Sequence, residues 1–340
     1  MDNIFLIWTN QQSRVENLSK DIVKDLGSLK VFYNKNPHSN KLKKILLYLV
    51  YFLTDFNRIY KYKPKRIFVQ TPPSYALLAP YFYKKFINRN CIIISDLHNA
   101  MFRNPWLSRL GTKRLLSISD VLICHNNIIY KTVLSDKLFN DTLLEKLHIL
   151  EDKTPEKSSE YLLYSSDKTN TPIVFFPASF NDDEPITEVL KAAFLLPNLK
   201  IIMTGNKEKL KKNFNIKTES LPANVEITGW VDELQYERLL YSCDILLGLT
   251  IHDDIQMSVS NEGLGAEKVM VLSNTEALRS IYKNGATYCN NNAASISQSI
   301  KDALDNYRTI EVEIRNVKKI KEERYLEQWE SVKDTILSLD

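Results

Sequence analysis

Two groups of residues in this chain could handle a hydroxyl-rich ligand. The first leaves an apolar run as Ile94-Ser95-Asp96-Leu97-His98-Asn99. An acid and an imidazole two apart at a strand end can serve as base and orienter, or hold a hydroxyl. A histidine there can equally be a hydrogen-bonded structural residue. The second group runs from Asp254 to Glu262 and also holds Gln256, Ser258, Ser260 and Asn261. It follows the apolar run 245–249, so its carboxylates, amides and hydroxyls collect where open α/β sheets bind ligands, beyond a strand's carboxyl end. Two acids in an ordinary solvated loop would have the same spacing. A third stretch, Pro177-Ala178-Ser179-Phe180-Asn181-Asp182-Asp183-Glu184-Pro185, precedes a helical pattern. Ser179 and the amides before Ile186 are suited to a diphosphate, because helix N-termini offer free N–H groups and a positive dipole end. Asp183 and Glu184 also suit plain helix capping.

These groups need strands to leave from. Apolar runs at 4–8, 28–33, 66–70, 91–95 and 121–124 read as strands, with helices at 14–26, 40–62 and 75–86 between them. Gly27 is placed to end the first helix, and Pro72-Pro73 breaks the chain before the third. A second series follows at 172–176, 200–203, 225–228, 244–249, 269–272 and 286–289. A short helix is expected over 261–268, and Thr275 is expected to cap the next one. Tyr236 to Cys243 reads as a helix with a packing stripe only. Strand and helix alternating at this spacing predict βαβ units and parallel sheets. Residues 152–170, rich in Ser, Lys and Thr, read as a linker between domains at 1–151 and 171–310, with charged helices over 311–340.

The stretch 244–279 resembles the donor-binding segment of GT-B glycosyltransferases, which often carry two acidic residues separated by seven. One faces the sugar and the other the ribose. The matching pair is Asp254 and Glu262. The first is Asp rather than Glu, and Gln256-Met257-Ser258 stands where Gly-Phe-Gly usually follows. Glu262 leads into GLGAEKVMVLSNTEALR much as the family runs from its second Glu to a strand and a Thr-led helix. In the first half, Gln70-Thr71-Pro72-Pro73 and Asp96-Leu97-His98-Asn99 are similar to the Gln-x-Pro-Pro and Asp-x-His-Asn of the diphosphodolichol-chitobiose β-mannosyltransferases and their bacterial relatives. Ser13-Arg14 resembles their Ser-Pro-Arg without the Pro, and the Ser179 stretch is similar to their Thr-Ser-x-x-x-Asp-Glu. Bacterial family-4-like capsule and exopolysaccharide glycosyltransferases share the general pattern.

The resemblance implies a GT-B fold, α/β with two doubly wound Rossmann-like domains facing a cleft, and a last helix crossing back to the first domain. It implies a sugar moved from a nucleotide-sugar donor to a saccharide or lipid-linked acceptor. His98 and Asp96 would be catalytic, with Arg14, Gln70 and Asn99 on the acceptor side. Ser179, Gly205, Asn206, Trp230, Asp254, Gln256, Ser258 and Glu262 would hold the donor, although Trp230 suits a core position as well. The Arg and Lys pair that many retaining members use for the diphosphate has no visible match. The first-half motifs lean toward inversion, whereas the acid pair is also familiar from retaining enzymes. A nucleotide-sugar epimerase of the same fold and a non-catalytic partner subunit are the alternatives.

Bulk properties narrow the class. The chain has 340 residues, 44% apolar and 25% charged, with net charge +4, so it is globular and has no strong pull on nucleic acid. Cys91, Cys124, Cys243 and Cys289 lie in or beside apolar runs without a CxxC pair, which points to buried thiols in the cytoplasm rather than disulfides or zinc. No metal or other cofactor is expected, since the nucleotide-sugar is a substrate. Residues 41–65, KLKKILLYLVYFLTDFNRIYKYKPK, are too short and too polar at their ends to span a bilayer. A basic, aromatic helix of this kind lies in a membrane interface or packs on its own sheet, and the two are compatible. The expected location is the cytoplasm, with peripheral attachment to the inner face of the membrane.

Overall fold

The computed structural model describes residues 1–9, 12–35, 41–157, 171–253 and 255–340, with the side chains of residues 41 and 42 left aside. Asp254 and most of the expected linker, 158–170, lie outside these. The chain divides into two units, one of residues 1–153 with 324–340 and the other of residues 154–323.

In the first unit the order is β1 (Asn3–Ile7), α1 (Ser13–Leu26), β2 (Leu29–Tyr33), α2 (Lys41–Tyr62), β3 (Arg66–Thr71), α3 (Leu78–Phe86), β4 (Ile92–Leu97), α4 (Thr112–Leu116), β5 (Val121–Cys124), α5 (Asn127–Ser135), α6 (Asp141–Leu144) and β6 (Leu147–Ile149). All six strands pair in parallel in the order β2-β1-β3-β4-β5-β6. β1, β3, β4 and β5 are buried throughout, which is why they read as continuous apolar runs. α1 buries Val15, Leu18, Ile22 and Leu26 along one stripe, and Gly27 at φ +96° ends it.

Three expectations shift. The strand expected at 91–95 extends to Leu97, because Asp96 and Leu97 keep pairing with Ile123 and Cys124. Asp96 is therefore a strand residue, not a loop residue. The helix expected at 75–86 opens as a 3-10 turn, Ser74–Leu77, before α3. β6 was not foreseen; its three residues, Leu-His-Ile, are too few and too mixed to show a period.

The second unit holds β7 (Ile173–Phe176), α7 (Ile186–Phe194), β8 (Lys200–Thr204), α8 (Lys207–Phe214), β9 (Val225–Gly229), α9 (Glu233–Ser242), β10 (Ile245–Gly248), α10 (Ser258–Gly265), β11 (Met270–Ser273), α11 (Glu276–Tyr282), β12 (Thr287–Cys289), α12 (Ala293–Asp305) and the first half of α13 (Tyr307–Ser338). Its strands, again all parallel, run β12-β11-β10-β7-β8-β9. α10 begins three residues before the expected start, which puts Ser258 in its first turn. Thr275 caps α11 as expected, accepting from the Leu278 amide at 3.3 Å.

Each sheet reverses strand order once, between β1 and β3 in the first unit and between β7 and β10 in the second. Such switch points open a crevice at the carboxyl ends of the strands. The tail is one continuous helix, α13, whose residues from Arg324 onward belong to the first unit. There Tyr325 donates to Asp21 and Trp329 Nε1 to Asp25, both at 2.7 Å, and Trp329 is only 2% exposed. Trp329→Ala is expected to remove this packing at a cost of about 3–5 kcal/mol. Urea unfolding followed by circular dichroism measures it, and a midpoint equal to wild type would mean the end of α13 adds nothing to the first unit's stability.

Candidate functional site

The first unit gathers polar groups at the carboxyl ends of its central strands. Arg14, at the start of α1, forks onto Asp96 of β4: Nε lies 3.1 Å from both carboxylate oxygens and Nη2 lies 2.8 Å from Oδ1. Nη2 also reaches the Leu150 carbonyl at 3.0 Å, and Nη1 meets Asp152 at 2.7 Å. His125, just after β5, places Nε2 3.1 Å from Asp96 Oδ1. The Arg14 and Asp96 side chains are 8% and 1% exposed. Burial alone would raise the Asp96 carboxyl, but the Arg14 guanidinium and His125 outweigh it and hold it well below the usual carboxylate range. Asp96 is thus a fixed anion, committed to its partners.

His98 behaves differently. Its Nε2 lies 2.7 Å from Gln70 Nε2, and the same Gln70 nitrogen donates to Gln12 Oε1 at 2.9 Å. With the amide oriented by Gln12, His98 Nε2 accepts and its proton sits on Nδ1. The ring packs edge-on against His125, centroids 4.5 Å apart. Burial, then the His125 ring, push the His98 pKa down to about 3, so the imidazole is neutral at ordinary pH. Ligand atoms of Asp96, His98 and His125 come within 4.8 Å of one another. A cation there would meet the Arg14 guanidinium, which already spans both Asp96 oxygens, so this donor set is committed to hydrogen bonds. Asn99 opens the 3-10 turn Asn99–Phe102 directly after His98.

In the second unit a cavity of about 340 Å³ opens at the strand ends, lined by Ser179, Thr204, Trp230, Tyr236, Ser258 and Glu262 among others. Glu262 stands on α10 and accepts a hydrogen bond from the Tyr236 hydroxyl of α9. Burial raises the Glu262 pKa, and the Tyr236 bond works the other way. Tyr236, expected only to pack, instead turns its hydroxyl into the cavity wall. Trp230 is 75% exposed on the rim, which removes the core reading.

Other expected donor residues are placed less directly. The Glu184 carboxylate folds back to accept from the Ser179 amide at 2.9 and 3.1 Å and from the Asn181 amide at 3.0 Å. The chain's own carboxylate therefore sits where an anion would. Gly205 adopts φ +113°, and a Cβ there would lie 2.7 Å from the Ala178 carbonyl, so close packing requires this glycine. Asn206 caps α8, accepting from the Glu208 amide at 2.8 Å. Neither Gly205 nor Asn206 lines the cavity. Gln256 precedes α10 with both amide atoms buried and unpaired. Ser260 donates to the Met257 carbonyl and Asn261 accepts from the buried Lys321. Sequence reasoning missed His125, Asp152, Gln12 and Tyr236. Of these, His125 alone carried a signal, since it follows an apolar strand just as His98 nearly does.

No family model and no curated protein sequence matches the chain. Solved structures do. Anabaena HepE in complex with UDP and glucose is similar at TM-score 0.70 and 14% identity, covering 99% of this chain and 98% of that one. Sucrose-phosphate synthase from Thermosynechococcus elongatus is similar at TM-score 0.71 and 11% identity, covering 100% and 98%. A putative UDP-N-acetylglucosamine 2-epimerase from Listeria monocytogenes is similar at TM-score 0.60 and 10% identity, covering 92% and 90%. The architecture is that of the GT-B fold.

The neutral His98 has a consequence for stability. Its pKa is about 3 in the folded chain, against 6.5 unperturbed. The unfolded chain gains a proton first as pH falls, so this stability is complete above pH 6.5 and is lost from there toward pH 3. Between pH 7 and pH 5 the loss should be about 1–2 kcal/mol. Urea titrations at both pH values should show this loss in wild type and a smaller one in His98→Gln. Equal losses would place the titrating group elsewhere.

Proposed function

We propose that this protein is a glycosyltransferase that moves a sugar from a nucleotide-sugar donor to a saccharide acceptor, lipid-linked, in the synthesis of a cell-surface polysaccharide or glycan. The observation that carries this is the Glu262–Tyr236 pair in the wall of a cavity at the strand ends of the second sheet. A carboxylate there is suited to two vicinal hydroxyls of a ribose, with the Tyr236 hydroxyl fixing its orientation. Trp230 on the rim offers a flat face to a base. Ser258 and Val259, in the first turn of α10, line the same cavity, and the N–H groups of a helix's first turn have no partner within the helix, which favours an anionic diphosphate. HepE was solved with UDP and glucose, which supports a UDP-type donor.

In this reading the first unit serves the acceptor. The acceptor hydroxyl replaces Gln70 at His98 Nε2. The imidazole is a weak base at rest, but the proton of an attacking hydroxyl becomes strongly acidic as its oxygen bonds to the sugar. The new carbon–oxygen bond forms, the bond to the diphosphate breaks, and the proton passes to Nε2. Asp96 takes no proton; clamped by Arg14, it holds His125 behind the reacting ring. Catalysis then rests on positioning and on charge stabilisation of the leaving diphosphate, without a metal. Peripheral attachment through residues 41–65 would bring the chain to a lipid-linked acceptor.

Release of nucleoside diphosphate from a nucleotide-sugar, with and without a lipid-linked saccharide pool, tests the assignment. Wild type should require acceptor, and His98→Ala should turn over about 10²- to 10⁴-fold more slowly. Conversion of donor that ignores acceptor would support the epimerase alternative. A chain that shows neither transfer nor donor hydrolysis would support a partner subunit.

A further inference from the structure

α2 is apolar on two sides. Tyr48, Phe52, Phe56 and Ile59 face the first unit's core. Ile45, Leu46, Leu49, Val50 and Leu53 recur at helical spacing on another face and remain 48–67% exposed. This second stripe does not stop at one helix. The Phe52 ring meets Phe82 of α3 edge-on at 5.7 Å, and Phe82 stacks on Phe86, itself 66% exposed, at 5.9 Å. Beyond α3, Leu110 is 93% exposed. Two grooves of about 470 and 360 Å³ run along this surface and share Tyr75, Leu78 and Phe82 in their walls. Soluble monomers seldom expose a continuous apolar surface of this extent without a partner.

The charge around it identifies the partner. Residues 41–54, 78–95 and 97–119 contain no Asp or Glu, yet they carry Lys43, Lys44, Lys85, Arg89, Lys113 and Arg114 among other basic residues. Several border the apolar surface directly. Lys44 lies over the Tyr48 ring, Lys85 over Phe86, and Arg114 lines the second groove. An apolar face fringed by cations fits a layer whose surface is anionic and whose interior is hydrocarbon. A second copy of this chain fits poorly, because a two-fold contact would set the same basic fringe against itself.

We infer that the α2–α3–Leu110 face is a membrane-docking surface for an anionic phospholipid bilayer, with Ile45, Leu49, Leu53 and Phe86 inserted among the acyl chains. This rests on the peripheral-membrane part of the proposed function and widens it from one helix to a two-helix face. No helix among the described residues is long and apolar enough to cross a membrane, so attachment is interfacial.

The test is co-sedimentation of the full chain with vesicles of phosphatidylcholine alone, or of equal parts phosphatidylcholine and phosphatidylglycerol. Calorimetric titration with UDP and sedimentation velocity are run on the same preparations. Wild type should pellet with the anionic vesicles. The triple variant Ile45→Ser, Leu49→Ser, Leu53→Ser changes only exposed side chains and should bind them at least about tenfold more weakly, as should Lys43→Glu with Lys85→Glu and Lys113→Glu. UDP titrations of both variants should match wild type, so loss of docking is distinguished from loss of the donor site. Wild type that stays in solution with anionic vesicles overturns the inference. So does a wild-type dimer that the serine variant converts to monomer, since the face would then be a protein interface.

Discussion

Parallel pairing is the constraint on which everything else in this chain depends. Because every strand in each sheet runs the same way, all carboxyl ends lie along one edge, and the residues that follow the strands meet there. Residues far apart in sequence become neighbours for that reason alone. Gln70, Asp96, His98 and His125 come together from the ends of three adjacent strands, β3, β4 and β5. Ser179, Thr204, Trp230 and Glu262 do so in the second unit. The price in exposed backbone is low, since both faces of each sheet are covered by helices and by the apolar clusters beneath them.

Within the first unit the buried Arg14–Asp96 pair carries a desolvation cost that its surroundings must offset. Two charges with almost no solvent contact are tolerated only when each hydrogen-bonding position is filled. Here Arg14 is shared among Asp96, Asp152 and the Leu150 carbonyl, and Asp96 gains His125. Losing either member would strand the other, at about 3–5 kcal/mol. The pair ties α1, β4, the end of β5 and the segment after β6 together, and through Asp96 it holds His125, whose ring adds to burial in keeping His98 neutral.

Much of the fold was legible because the central parallel strands are buried apolar runs and their neighbours are largely apolar, so eleven of the twelve strands among the described residues were visible. β6 escaped because three mixed residues carry no period. The candidate site was legible only where chemistry coincides in sequence with a strand end or with a stretch that resembles a known donor-binding segment. His98 met the first condition and Glu262, on α10, the second. Tyr236 did not, because its apolar ring satisfies the helix stripe while its hydroxyl, a single atom, makes the contact that matters. Asp152 did not either: it begins a stretch whose composition reads as linker, and only the folded chain brings it to Arg14. Gly205 and Asn206 show the converse. Their types suit a ligand loop, but the first is needed for close packing and the second for a helix cap.

The central claim is that the cavity beside Glu262 takes a nucleoside diphosphate. The most direct measurement is the melting temperature of wild type and Glu262→Gln against a panel of UDP, ADP, GDP and dTDP. A ligand that binds only the folded chain raises its stability by mass action, by about 2.7 kcal/mol at a hundred times its dissociation constant. At least one member of the panel should raise the wild-type melting temperature, and the same nucleotide should do markedly less for Glu262→Gln. No shift with any nucleotide, or an equal shift in both proteins, would contradict the account.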